Sequence, residues 1–299
     1  MTINRLKILI SMGLGLCIVS ILAGAIVRAT GSGSGCGASW PTCNGNMTPE
    51  LLDTPAMIEY THRVLSGILL LVTLLVFLYI RKYSSDPILI RAANLLLFFV
   101  IIEALIGMAI VLLELVAFNT SLARLIAVPI HLVNTFSLVA LYVITYCILD
   151  FPDTQLNFYL NNRFIISCLL FFLVAATGSI TALSDLLYPS DSFIQGLAMD
   201  FSDSSQILTR LRVLHPFVAI VLIVWIFFEG RRLFVQENIS SAAYLIILAS
   251  VVSFIGIINV ITNINIFLSI SHLFFADLLW GFYIYSNMDI LYNSKKANI

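Results

Sequence analysis

Eight long apolar stretches occupy most of this chain and constrain its fold more than any other feature. They fall at about 8–28, 58–80, 91–113, 125–149, 163–183, 210–229, 242–262 and 266–288. A helix needs roughly 20 apolar residues to cross a bilayer, so each stretch is long enough to span one. Of the 299 residues, only 10% are charged, whereas about a quarter of an ordinary soluble chain is charged. The sequence therefore predicts an all-α integral membrane protein with eight transmembrane helices.

A β-barrel and a cleaved signal peptide fit the apolar stretches less well. An outer-membrane barrel would show segments of about ten residues with alternating polarity, and the run 68–80 does not alternate. The first stretch follows Arg5 and Lys7, as in a signal peptide, but it is longer than a cleaved segment and lacks a clear cleavage site. We interpret it as the first helix. The formal net charge of −1, without a basic run, excludes nucleic acid as a partner.

The positions of the basic residues predict the orientation in the membrane. Ten of the fifteen Lys and Arg residues lie on the side that the two termini share. By the positive-inside rule both termini are cytoplasmic, and the longer connections at about 29–57 and 184–209 face outward. Because no transit peptide precedes the first helix, we expect a multi-pass protein of a bacterial cell membrane.

The sequence also indicates an internal repeat, in which a four-helix unit occurs twice in tandem. The sequence VRATGS at 27–32 resembles VAATGS at 174–179. A unit with an even number of spans keeps its orientation when it repeats, so the predicted bundles are tandem and related by a pseudo-twofold axis along the membrane normal. The predicted boundary lies near Pro152, which gives bundles at 1–152 and 153–299.

Each even-numbered stretch contains one histidine, namely His62, His131, His215 and His272. Each lies 16 to 19 residues from a charged residue at the cytoplasmic end of its stretch, namely Arg81, Asp150, Arg231 and Asp289, which is about 24–29 Å of helix. The four imidazoles are thus expected in one plane of the outer leaflet. Two facing histidines in a four-helix bundle can ligate haem iron from both sides.

Histidines in membrane spans also have roles that do not involve haem. A single one can serve as a helix–helix hydrogen bond, a proton relay would stagger its titratable groups, and a zinc site would add carboxylate or thiolate ligands. The common depth of the four histidines favours haem.

Five arginines lie at or near the outer helix ends, where they can pair with haem propionates or extend to the interface. These are Arg28, Arg63, Arg124, Arg210 and Arg212.

Three motifs resemble the haem A synthase family, and the resemblance covers essentially the whole chain. They are Glu-Tyr-Thr-His-Arg at 59–63, Arg-Ala-Thr-Gly-Ser-Gly at 28–33, and the glycine-rich loop at 35–45 with its Cys36 and Cys43. The resemblance implies that the chain oxidises the ring methyl of haem O to the formyl of haem A by two hydroxylations, with water held to be the oxygen source. It also implies that the amino-terminal bundle holds haem O and that the carboxy-terminal bundle holds a haem b that passes electrons.

The resemblance also assigns roles to individual residues. It implies that His215 and His272 ligate haem b. His62 and His131 would face the substrate iron, and Glu59 would be catalytic. Because residues three apart share a helix face, Glu59 is expected beside His62. A helix-capping acid is the alternative for Glu59.

The arginines divide between the two predicted haem sites. Arg210 and Arg212 are assigned to haem b. Arg63, Arg124 and Arg28 are assigned to the propionates of haem O. Three residues before His215 lies Arg212, whereas three residues before His62 lies Glu59. The two halves therefore differ at the position where a catalytic acid is expected in the first half only.

The cysteines and the remaining apolar-span acids complete the site predictions. Cys36 and Cys43 lie in an outward loop, where a disulfide persists, and the bridge either stiffens the loop or cycles in redox chemistry. The other three cysteines lie in apolar sequence, and we interpret them as unreactive small hydrophobic side chains. They are Cys17, Cys147 and Cys168. Glu103, Glu114 and Asp277 receive no assigned role.

The resemblance implies a haem O synthase, a farnesyltransferase, as the upstream partner. The electron acceptor, for which a quinone is one candidate, and the oligomeric state remain open. Two rival functions are a di-haem b electron carrier linked to quinone and a transporter. Identification of the extracted porphyrins by mass would separate all three.

Overall fold

The computed structural model describes residues 3–150, 162–236 and 239–296, with side chains up to residue 288. Its helices are α1 (Ile3–Ala29), α2 (Thr54–Tyr83), α3 (Pro87–Leu112), α4 (Leu122–Asp150), α5 (Asn162–Leu187), α6 (Phe193–Phe201), α7 (Ile207–Arg210), α8 (Leu214–Val235), α9 (Ala242–Ile261) and α10 (Ile266–Lys296). A 3₁₀ turn joins α7 to α8, so that Ile207–Val235 forms one span. Eight helices in the described parts are long and apolar enough to cross a membrane, and no strand occurs there. The predicted all-α membrane fold is confirmed.

Two helices, α2 and α3, begin before the predicted apolar stretches because polar residues cap them. The carboxylate of Asp53 accepts a hydrogen bond from Ala56 N at 3.1 Å, and Pro55 follows at the start of α2. Asp86 caps α3 in the same way, through Ile88 N at 2.8 Å. Such caps satisfy amide groups that the first helical turn leaves unpaired, so α2 and α3 begin before the apolar sequence does.

The helix α6 is not predicted by the apolar pattern. It lies within the connection between two spans, and its N-cap residue Ser192 accepts a hydrogen bond from Gln195 N at 3.3 Å. Ile194 and Phe201 on this helix are strongly exposed. A nine-residue helix in a polar connection is too short to be recognised by spanning length.

The spans pack as two rings of four. Helix α1 contacts α2 and α4, and α3 contacts both α2 and α4. In the second ring α8 lies between α5 and α9, α9 contacts α10, and aromatic contacts join α10 to α5. The twofold relation between the rings stays a prediction, and the predicted boundary near Pro152 lies outside the described residues.

The core of the molecule lies where the two rings meet. Trp280 of α10 is 1% exposed, and its indole Nε1 donates a hydrogen bond to Phe136 O in α4 at 2.8 Å. The ring of Phe171 from α5 packs against Trp280 at 4.7 Å between centroids. Elsewhere large apolar side chains such as Leu71 and Phe254 point outward and are more than half exposed, as lipid-facing residues are in a membrane bundle.

Candidate functional site

The four histidines lie near one end of the bundle. We call this end the loop face, because it carries the connections 30–53 and 188–206. Each histidine lies between the seventh and the tenth residue of its span, counted from the loop face. The imidazoles therefore share a similar depth along their helices, one from each of α2, α4, α8 and α10.

A glycine of the preceding span lies against each imidazole. A Cβ added to Gly24, Gly178 or Gly256 would come within 2.9 to 3.0 Å of Cε1 of His62, His215 or His272, respectively. At Gly107 the same atom would lie 3.7 Å from Cε1 of His131. The absence of a side chain thus lets the backbones of α1, α5 and α9 touch the imidazole rings. These contacts are not predictable from the sequence, because nothing local shows which glycine meets a histidine from the next span.

The glycines also correct the predicted alignment of the repeat. Residues 27–32 cover the end of α1 and a turn in which Gly31 has φ +67°, whereas 174–179 lie inside α5. The glycines in matching places are Gly24 and Gly178, which are 154 residues apart. This interval agrees with the 153 residues between His62 and His215. The predicted match of VRATGS with VAATGS is therefore wrong by about two helical turns.

His215 and His272 face each other in the second ring. Their ring centroids are 6.2 Å apart, and the ring planes are nearly perpendicular at 85°. An imidazole nitrogen binds a transition metal at about 2.0–2.1 Å, and the ring centre lies about 1.1 Å behind it, so two rings on opposite sides of one ion have centroids about 6.2–6.4 Å apart. The observed separation fits one iron between the two rings.

Hydrogen bonds hold this pair through the Nδ1 atoms. Nδ1 of His272 lies 3.0 Å from Val252 O, and since a carbonyl only accepts, this nitrogen carries the proton. Nδ1 of His215 lies 3.5 Å from Thr177 Oγ1. Both Nε2 atoms therefore remain available as ligands, which is the usual arrangement of metal-binding histidines.

His62 and His131 in the first ring have different surroundings. The two rings are close enough to interact electrostatically. Nδ1 of His131 lies 3.1 Å from Oε1 of Glu103, although the angle does not satisfy hydrogen-bond geometry. The second oxygen of Glu103 accepts a hydrogen bond from Asn134 Nδ2 at 2.6 Å. A carboxylate thus faces the first pair at a place where the second pair has a main-chain carbonyl.

Glu59 is buried above His62, on the loop-face side, and both of its oxygens have partners. Its Oε2 accepts a hydrogen bond from Cys36 N at 2.9 Å, and its Oε1 pairs with the guanidinium of Arg63. Arg63 also donates to Ser39 O at 2.6 Å and to Thr42 O at 2.7 Å. The Glu-x-x-His-Arg motif therefore holds the glycine-rich loop at the same time as it presents His62.

The predicted disulfide between Cys36 and Cys43 is present. Both cysteines are fully buried, with Ala56 of α2 beside them. A Cβ at Gly35 would collide with the backbone of Pro55 and Ala56. The disulfide loop therefore lies directly on the first turn of α2, one helical turn above Glu59.

The arginines near the loop face differ in their partners. Arg212 pairs with Asp185 at 3.0 Å and with Asp200 at 2.7 Å, which joins α5 and α6 to the turn before α8. Burial raises the pKa of the Asp200 carboxyl above its usual range, and the Arg212 guanidinium opposes that rise. Arg210 is exposed and lies 3.5 Å from the exposed Asp203.

Arg124 and Arg28 lie at the loop-face end of the first ring. Arg124 is buried and donates to the carbonyls of Ala117 and Asn119, the latter at 2.9 Å. Arg28 interacts electrostatically with both Arg124 and Asp185. Arg28 lies one turn past Gly24, which packs against His62, and Arg124 lies two turns before His131. Both arginines therefore lie on helix faces that adjoin the first histidine pair.

The three acids without an assigned role lie in different places. Glu114 is exposed in the turn after α3, with φ +53°. Asp277 of α10 is fully buried, and neither of its oxygens has a hydrogen-bond partner among the described residues. Of these three acids, Glu103 is the one that contacts a histidine of the site.

Comparison with known proteins is consistent with this arrangement. Residues 7–284 match the family described as COX15-CtaA, cytochrome oxidase assembly protein. The chain belongs to this family. Relatives named heme A synthase include one from Staphylococcus epidermidis, 26% identical over 88% of each chain. Another, from Geobacillus thermodenitrificans, is 28% identical over 87% of this chain and 84% of its own.

A relative from Thermus thermophilus named protoheme IX farnesyltransferase is 32% identical over 88% of this chain. The match covers only 45% of that protein, so the chain spans about half the length of this relative. The family confirms the resemblance predicted from the sequence and makes the chain a multi-pass membrane protein of a haem-related family.

Proposed function

We propose that the chain is a haem A synthase, which oxidises the ring methyl of haem O to a formyl group. The observation that carries this proposal is the facing of His215 and His272 at 6.2 Å, in a chain whose first histidine pair has a different environment. One pair suits a permanent cofactor, and the other suits a substrate. The relatives named heme A synthase support the assignment.

The resident cofactor in this proposal is haem b, held by His215 and His272 in the carboxy-terminal bundle, 153–299. Bound there, it would supply one-electron transfer away from the substrate. The residues around it fix the ligands: Val252 O orients His272, and Gly178 and Gly256 admit the two rings. Arg212 would act on its propionate side, and its pairing with two aspartates also joins α6 to the bundle.

The substrate haem O would lie in the amino-terminal bundle, 1–152, with His62 and His131 on either side of its iron. Arg28 and Arg124 would pair with its propionates. Arg124 donates to main-chain carbonyls, and Arg28 interacts with Asp185 only at longer range. Among the described residues, neither guanidinium has a close carboxylate partner. Arg63 is a weaker propionate partner, since Glu59 and two loop carbonyls already surround its guanidinium.

The overall reaction converts a methyl group and one water into a formyl group, four electrons and four protons, and the electrons pass through haem b to an external acceptor such as a quinone. Glu59 is the proposed catalytic group, which would hold a proton lost from the methyl or stabilise positive charge that develops there. Its Oε2 is bonded to Cys36 N, so the disulfide loop controls where that carboxylate points. The protein's part is to hold the ring methyl beside Glu59, which is itself buried.

The wider setting is also a proposal. We infer a bacterial cell membrane with both termini cytoplasmic, which puts the loop face and all four histidines on the outer side. A farnesyltransferase that makes haem O would be the upstream partner. The Thermus relative of that name contains a segment similar to nearly all of this chain, which supports such a partnership.

The test is conversion of haem O by the purified protein in the presence of an added electron acceptor such as a quinone, with porphyrins identified by mass. The proposal predicts haem b in the isolated protein and production of the hydroxylated intermediate and haem A. In Glu59→Gln, haem b should remain while haem A formation stops. Two haem b per chain with no conversion would indicate a di-haem electron carrier, and no pigment at all would indicate a transporter.

A further inference from the structure

Glu103 lies in the apolar middle of α3, where a carboxyl group is costly and needs a partner. It precedes Gly107 by four residues, so both lie on the face of α3 that meets His131. Oε1 of Glu103 is 3.1 Å from Nδ1 of His131, and Gly107 leaves room for the ring. The side chain is mostly buried, with 14% exposed.

Asn134 holds the carboxylate in this position. Its Nδ2 donates to Oε2 of Glu103 at 2.6 Å and to the main-chain carbonyl of Phe99 at 3.0 Å. Asn134 follows His131 by three residues and lies on the same helix face. Asn134 of α4 therefore fixes Oε2 of Glu103, and Oε1 lies next to the imidazole of His131.

In the second ring, the corresponding neighbour of a histidine Nδ1 is an uncharged main-chain carbonyl. Val252 precedes Gly256 by four residues, as Glu103 precedes Gly107, and the main-chain carbonyl of Val252 receives Nδ1 of His272 at 3.0 Å. Glu103 thus stands at the position that matches Val252. Nδ1 of His131 therefore lies against a carboxylate, and Nδ1 of His272 lies against a neutral carbonyl.

We propose that Glu103 is a positioning residue for His131. It accepts a hydrogen bond from Nδ1–H, which turns Nε2 toward the iron of the bound substrate; this rests on the proposed function, in which His131 faces haem O. The 3.1 Å contact does not satisfy hydrogen-bond geometry in the structure, and the proposal requires a small realignment of the two side chains when haem O binds, as is common for hydrogen bonds at catalytic sites. An acceptor behind a metal-binding histidine fixes its tautomer and orientation and makes it a better ligand.

Binding of haem O to the full-length protein, followed by absorption titration without an electron acceptor, tests the proposal. Loss of such an acceptor typically costs 10- to 100-fold in affinity, so we expect Glu103→Leu to weaken haem O binding by about that factor. Glu103→Gln keeps a carbonyl oxygen and should recover most of the affinity and the wild-type spectrum. Glu114→Gln, which removes an exposed acid in the turn after α3, should bind as the wild type does.

Two further measurements distinguish the possible failures. The content of haem b should be unchanged in Glu103→Leu, which also reports correct folding. In a His131→Ala background, Glu103→Leu should cause no additional loss, because the proposed effect acts only through that ring. Wild-type affinity and spectrum in Glu103→Leu, or loss of both haems together, would overturn the positioning role. Equal haem O binding by the wild type and His131→Ala would instead refute the proposed substrate site.

Discussion

Replacing Gly256 by alanine tests whether the close approach of α9 to His272 sets the geometry of the second histidine pair. The new Cβ would lie 2.9 Å from Cε1 of His272. Ordinary carbon contacts lie at about 3.5 Å or beyond, so the ring must move by about 0.6 Å. Ligand sites tolerate displacements of about 0.5 Å. We therefore expect reduced haem b content and an altered absorption spectrum.

The chain provides matched variants for this test. Gly178→Ala should act similarly, because its Cβ would lie 3.0 Å from Cε1 of His215. Gly15→Ala and Gly67→Ala place the same methyl group in helices where nothing lies within 4 Å, and they should retain haem b. Gly107→Ala, at 3.7 Å from His131, should also be tolerated. The reasoning fails if Gly256→Ala and Gly178→Ala bind haem b with the affinity and spectrum of the two controls.

Three further predictions concern different contacts. Arg212→Gln leaves two largely buried carboxylates without their cation and should lower the free energy of unfolding in detergent by about 3 kcal/mol, whereas Arg210→Gln should not change it; equal effects would contradict the burial argument. Arg28→Gln and Arg124→Gln should each weaken haem O binding and leave haem b content unchanged, as measured by titration and pigment extraction. Trp280→Phe removes one buried hydrogen bond between the rings and should cost about 1 kcal/mol, which denaturation with a helical circular dichroism signal would detect.

The membrane fold could be predicted from the sequence because its main determinant is local. Each span shows its apolar length without reference to any other residue, and the described helices cover every predicted stretch to within one residue at its end. The disulfide was also predictable, since Cys36 and Cys43 lie seven apart in one glycine-rich loop. These features depend on short segments of chain.

The details of the site depend on contacts between distant segments, and these are less visible in the sequence. The pairing of Arg212 with Asp185 and Asp200 joins three elements that the sequence pattern does not bring together. The sequence predicts Arg63 at a propionate, but its guanidinium holds loop carbonyls and Glu59. A charged residue at a helix end has many possible partners, and only the three-dimensional packing selects one.

The repeat shows a different weakness of sequence patterns. Small residues recur in closely packed membrane helices, so a six-residue match such as 27–32 with 174–179 carries little information on register. The histidines give the better interval because they are rare in membrane spans. Gly24 and Gly178 agree with that interval once their contacts to His62 and His215 are seen.

The central claim, that the two histidine pairs hold different haems, is tested most directly by porphyrin content in two double variants of the full-length protein. In His215→Ala with His272→Ala, we predict loss of the haem b that copurifies with the chain. In His62→Ala with His131→Ala, we predict retention of haem b at one per chain and loss of haem O binding. Haem b that survives the first pair of substitutions, or disappears with the second pair alone, would contradict the account.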